Sequence, residues 1–182
     1  MTVRQGLGYL LRSGFLLPPL MFPAEEVEAL MLGTRWVAER GDAGLSKAAR
    51  SALARITAVL PPEMRQDPET AGLLIGPGQP VAGGNLDLSA IRDAIRAEHR
   101  ITIQYSDENG ESTARTVWPV ALAFFDRARV IVAWCELRGA FRHFRADRIA
   151  ELSVLTDCYP RRRVALLAEW RASYLRVSEK HS

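Results

Sequence analysis

The sequence predicts an α+β fold: an N-terminal β-arm and a helical hairpin, then a small antiparallel β-barrel and a C-terminal helix. Three observations predict it. Apolar residues recur at spacings of three and four across residues 23–60, a proline- and glycine-rich break follows at 61–85, and the pattern then switches to alternation from Ile101 onward. With 182 residues, 48% hydrophobic and 25% charged, the chain has the composition of a globular protein rather than a disordered or fibrous one.

Each element has its own signal. Residues 6–22 form a short apolar run punctuated by Gly6, Gly8 and Gly14, and Pro18-Pro19 forbids a helix there. Such an arm is not stable alone and must pack on something. Pro23 suits the first position of a helix, and Glu25, Glu26 and Glu28 suit its positive end. Val27, Leu30, Met31 and Thr34 continue that helix to Gly41. A second helix is expected from Leu45 to Leu60, with Ser46 near its start and Pro61-Pro62 as its stop; the short loop between the two makes an antiparallel hairpin. Within 61–85, residues 73–75 are the one short strand candidate, and a domain boundary is expected near residue 80.

A helix over 89–98 then leads into five strands: 101–105, 113–125, 130–137, 141–145 and 151–155. Asn109-Gly110 and Arg138-Gly139 make tight turns, Pro119 marks an edge, bulge or bend, and residues 147–149 suit one helical turn. One helix followed by five short bent strands is the pattern of an Sm-like or SH3-like barrel. The last helix, 164–177, carries Leu167, Trp170, Tyr174 and Val177 on one stripe. The expected units are thus 1–22 (arm), 23–62 (helical region), 63–85 (linker), 86–157 (barrel) and 158–182 (C-terminal helix).

Chemistry is sparse. There is no GxSxG, HExxH, P-loop or GxGxxG pattern, and no spacing assembles a carboxylate pair, so an enzyme is not expected and no cofactor is called for. Cys135 and Cys158 belong to no CxxC pair and read as buried, reduced thiols, with a disulfide or reactive thiol the alternative. With His99, His143 and His181 as the only histidines, a structural zinc site is not expected. No apolar run reaches the roughly 18 residues of a membrane span, and no signal-peptide core is visible, so a cytoplasmic location without membrane partners is the expectation.

Charge is informative. The net charge is +3, but residues 1–110 carry 11 basic and 13 acidic side chains, whereas residues 111–176 carry 12 and 7. Those 12 basic residues are all arginine, whose planar fork suits phosphate and carboxylate. Either this half meets an anionic partner, or it presents a solvated surface rich in arginine. The stretch from Ala133 to Ile149 narrows the question. Alternation puts Arg142 and Phe144 on one face of the fourth strand and Phe141, His143 and Arg145 on the other, with Arg138 and Arg148 bracketing the strand and Arg115 nearby on the second. Arginine interleaved with aromatics suits nucleotides and single strands. The plainer alternative is that the phenylalanines are core and the arginines pair with Asp147, Glu136 and Glu151, Arg145 or Arg148 being the partner of Asp147.

Several runs carry a family resemblance: Ile101…Ile103-Gln-Tyr105, Arg115…Val117-Trp-Pro119, Ala133-Trp-Cys-Glu-Leu-Arg138 and Phe141-Arg-His-Phe-Arg-Ala-Asp-Arg-Ile149. Together these resemble a WYL domain, closest to the YafY-like branch of transcription regulators that carry a DeoR-type winged helix. Residues 6–22 resemble the wing end and exit strand of that winged helix, and 23–60 the linking helices. The motif that names the family falls at Arg129-Val130-Ile131, without its Trp and Tyr. The resemblance implies a ligand-sensing regulatory module, acting as a homodimer, whose barrel arginines Arg115, Arg142, Arg145 and Arg148 contact an anionic effector such as a nucleotide or single-stranded nucleic acid. Arg138, His143, Trp134 and Tyr105 complete the candidate set. A stand-alone single-stranded nucleic-acid-binding domain is the alternative. The helix-turn-helix is expected to be lacking, so duplex DNA is a partner only where one is supplied.

Overall fold

A computed structural model describes residues 20–62, 75, 86–125 and 127–178, with side chains through Ser173. The proposed arm at 6–22 and the strand at 73–75 lie almost wholly outside the described residues, as do the side chains of Tyr174 and Val177.

The hairpin consists of α1 (Ala24–Arg40) and α2 (Ala43–Val59). Pro23 sits one position earlier than expected: it is the cap, and its carbonyl accepts from the amides of Glu26 and Val27. The cap of α2 is Asp42, not Ser46; its carboxylate accepts from Gly44 N at 3.0 Å and Leu45 N at 3.2 Å. A Cβ at Gly41 would lie 2.6 Å from the Val37 carbonyl oxygen, so only glycine lets the chain turn this closely out of α1. Val27, Met31 and Leu60 form a small core between the two helices.

The helix α3 (Leu88–Ala97) is capped by Asp87 and ends at Glu98, which takes the left-handed conformation. Five strands follow: β1 (His99–Ser106), β2 (Ser112–Phe124), β3 (Arg129–Cys135), β4 (Ala140–Arg145) and β5 (Ile149–Cys158). All neighbours are antiparallel, and the order across the sheet is β4-β3-β2-β1-β5. The helix α4 (Arg163–Ser178) closes the chain. His99, directly after the expected helix 89–98, begins β1. Gly110 and Gly139 hold the positive φ values their turns require.

The sheet order forces curvature. β4 and β5 are the two outer strands, yet only the 3-10 turn Ala146–Arg148 separates them in sequence. Four Cα steps reach at most about 15 Å, whereas the outer strands of a flat five-stranded sheet stand about 19 Å apart. The sheet therefore curls until its edges approach. Its concave face holds Ile101, Ile103, Val117, Ile131, Cys135, Phe144 and Ile149, and α3 covers it with Ile91, Ala94 and Ile95.

The other face owes its shape to a bulge. Pro119 lies on a central strand, where its missing N–H costs a ladder bond, and the register slips between Pro119 and Ala121. Val120 is thereby turned onto the outer face with Val132, where Tyr159 and Leu166 cover both. The bulge carbonyls are not wasted: the Tyr159 hydroxyl donates to Pro119 O at 3.4 Å, and Arg163 donates to Val120 O at 3.3 Å. Burial pushes the Tyr159 phenol up to about 12, keeping it a donor.

Arg129, the first residue of β3, ties hairpin to sheet. Only 7% exposed, it donates to Phe125 O at 2.7 Å, to Ala128 O at 3.3 Å and to the carbonyl of Arg40 at the end of α1. Its guanidinium also lies 5.1 Å from the Phe124 ring. A second tie joins Arg92 on α3 to Asp42 at 2.8 Å. Cys135 is buried as expected, but Cys158 is exposed, because it lies on an outer strand; both are free thiols.

Ile101→Ala should lower unfolding stability by about 2–5 kcal/mol, since Ile101 is fully enclosed in the concave core. Val59→Ala, at an exposed site, should shift it by less than about 0.5 kcal/mol. Urea midpoints for the two variants check both values.

Candidate ligand-binding surface

The eight residues singled out from sequence do not form one cluster; the β-sheet register divides them. On β4, Arg142 pairs with Ala133 and Phe144 with Ile131, which places both on the concave face; Phe141 and His143 pair with Trp134 and Val132 on the outer face. Both faces were expected to offer an aromatic beside an arginine. On the concave side, however, Phe144 is core: 5% exposed, with its ring 5.1 Å from Tyr105 in an edge-to-face contact.

The arginines differ in whether they are already paired. Arg145 grips Asp147 with two bonds, Nε to Oδ1 at 3.0 Å and an η-nitrogen to Oδ2 at 2.8 Å, so Asp147 has Arg145 rather than Arg148 as its ion-pair partner. That fork holds the Asp147 carboxyl below its ordinary value of 3.8 and raises the guanidinium of Arg145 above its own. Arg148 reaches Glu108 at 3.3 Å. Arg115 donates only to the adjacent carbonyl of Ala114, at 3.1 Å. Neither it nor Arg138 or Arg142 has a carboxylate within 4 Å among the described residues. Arg115 pairs with Ile103 across the ladder and so shares the concave side of the sheet with Arg142. Arg138 stands on the exposed turn that joins β3 to β4.

Trp134 belongs to a row of rings on the outer face. Phe141 meets it edge-on at 5.2 Å, Trp118 stacks on it at 6.0 Å, and Tyr159 stacks on Trp118 at 6.0 Å. Arg161 lies 5.9 Å from the Trp134 ring while also pairing with Glu169 at 2.5 Å. The Trp118 indole donates to Glu136 at 2.6 Å. His143 accepts from the Trp170 indole at 3.2 Å, with the rings 6.0 Å apart, and burial lowers the imidazole pKa.

Trp118, Tyr159, Arg161 and Trp170 were not among the candidates. Pairing across the β2–β3 turn could have found Trp118 opposite Trp134, but the bulge offsets the register on its far side by one residue. The contacts from α4 and the residues leading into it are tertiary and carry no local signal. No helix among the described residues is long and apolar enough to cross a membrane, and no group of three or more His, Cys, Asp or Glu side chains gathers there.

Residues 87–154, from the cap of α3 into β5, match the WYL domain family, and this part of the chain is a WYL domain. Among solved structures, the chain is similar to proteasome accessory factor B/C (PafBC) of Arthrobacter aurescens, at 23% identity with a TM-score of 0.38. That match covers 79% of this chain and 22% of the other, so the chain spans about a fifth of its length.

The Asp147 fork gives a sign-definite pH effect. A carboxyl held below its ordinary value adds stability above about pH 4, and that contribution is lost as pH falls through the folded-state value. Melting temperatures of wild type and Asp147→Asn should therefore differ most near neutrality and converge as the pH falls through the lowered folded-state value.

Proposed function

We propose that this chain is the ligand-sensing regulatory module of a bacterial transcription regulator. It takes an anionic effector, nucleotide or oligonucleotide-like, on the arginines of its WYL domain, and acts as a homodimer in which the effector favours one arrangement of the two copies. The observation that carries this reading is the unequal pairing of the arginines. Arg145 and Arg148 already have carboxylate partners, whereas Arg115, Arg138 and Arg142 present guanidinium groups with none among the described residues. Such groups can be satisfied by phosphate without first breaking an ion pair. The reading is of a binding protein, not an enzyme: the described side chains offer cations and rings but no nucleophile beside a base.

A second reading, a stand-alone single-stranded nucleic-acid binder, is favoured by the part-exposed rings of Phe141, Trp134 and Trp118 with Arg161 over Trp134, since bases stack on such surfaces.

Fluorescence anisotropy with labelled mononucleotides and oligonucleotides of increasing length separates the two. Arg115→Ala/Arg142→Ala should weaken effector binding at least tenfold and reduce the salt slope by about 1.4 if each arginine meets one phosphate of a single strand. Affinity that stops rising beyond a few nucleotides supports the sensor; affinity that keeps rising with length, and falls on Trp134→Ala, supports the second reading. Unchanged binding in the double variant overturns the arginine site. Sedimentation velocity reads the homodimer.

A further inference from the structure

The outer face of the sheet carries a hollow that the arginine site does not use. It encloses about 450 Å³ and is lined by Ala123, Phe125, Val130, Val132, His143 and Trp170. The geometry points to this hollow as a separate binding site for a small, neutral, planar aromatic molecule.

Its shape follows from register. Ala123 lies opposite Val130, and Val132 opposite His143, so two adjacent ladder rows form a floor of one methyl and two isopropyl groups. Large rings stand only at the rim: Trp170 from α4, His143 from β4 and Phe125 at the end of β2. A low floor between ring walls accepts a flat molecule. The volume falls within the roughly 300–1,000 Å³ of small-molecule sites, which are likewise mostly apolar. Phe125 is 57% exposed, an exposure of apolar ring that a ligand would relieve.

The lining also selects charge. Among the described residues, no lining residue is a carboxylate, lysine or arginine. The nearest guanidinium by register, Arg145 opposite Val130, is held by both oxygens of Asp147. The Trp170 N–H is spent on His143, and burial disfavours the imidazolium form of that histidine. An anion here would lose its water and gain no counter-charge from the described lining. A neutral aromatic molecule loses little and gains edge contacts with the rim rings. The site does not depend on the arginine reading, since its floor is the opposite face of the sheet from Arg115 and Arg142.

The test uses N-phenyl-1-naphthylamine, a neutral aromatic probe that brightens out of water, on the full chain. Saturable binding of one probe per chain is expected, with a shift of the Trp170 indole N–H resonance assigned from Trp170→Phe. Ala123→Phe and Val130→Phe, which put a ring on the floor, should each weaken binding at least tenfold, while Arg115→Ala/Arg142→Ala should change it less than twofold. The anionic analogue 1-anilinonaphthalene-8-sulfonate should bind more weakly. Circular dichroism checks that each filled variant is folded; if one is not, the other and the Trp170 resonance decide. Absence of saturation, an unmoved Trp170 resonance, or unchanged binding in a folded filled variant would overturn the site. Tighter binding of the sulfonate would overturn the neutral class. Failed oligonucleotide titrations would leave the site standing, because they probe the other face.

Discussion

The reach of four residues governs this architecture. Ile149 cannot lie farther from Arg145 than the extended chain allows, yet the two residues belong to opposite edges of a five-stranded sheet. The sheet must bend around its own core, and the two faces then become unequal. The concave face closes over Ile101, Ile103 and Phe144 under α3, where the large apolar side chains are consumed by packing. The outer face is too open to close on itself and needs a second cover, which Tyr159 and α4 supply by bonding to the carbonyls freed at the Pro119–Val120 bulge. One chain-length constraint thus separates a face that holds the domain together from a face with room on it.

Much of this was legible in the sequence because it rests on local signals. The period change at Ile101, the turns at Gly110 and Gly139, the proline in a central strand and the order of the described elements all follow from residues within a few positions of one another. The helix caps were harder: Asp42 and Asp87 do the capping, and Asp42 is also chosen by Arg92, fifty residues away. The exposed Cys158 was misread because its burial depends on which strand is an edge, a property of sheet order rather than of neighbours.

The arrangement of the candidate residues was not legible in the sequence. Sequence pattern could say that arginines and aromatics alternate on one strand; it could not say which arginines already have partners. Arg145 and Arg142 look alike in sequence, but two residues beyond Arg145 the chain turns Asp147 back onto it. Phe144 and Phe141 likewise look alike, and the curl makes one of them core and the other part of a ring row. What a residue can offer a ligand is what remains after the fold has taken its share, and that remainder is set by tertiary geometry.

Arg129 has a different consequence. Its guanidinium is enclosed, and its three hydrogen-bond acceptors are main-chain oxygens, two from the β2–β3 turn and one from the end of α1. Pulling the hairpin away would strip one bond from an enclosed cation, so separation carries a cost at this side chain. The helical pair is therefore joined to the turn between β2 and β3 through Arg129, beside its second tie from Asp42 to Arg92.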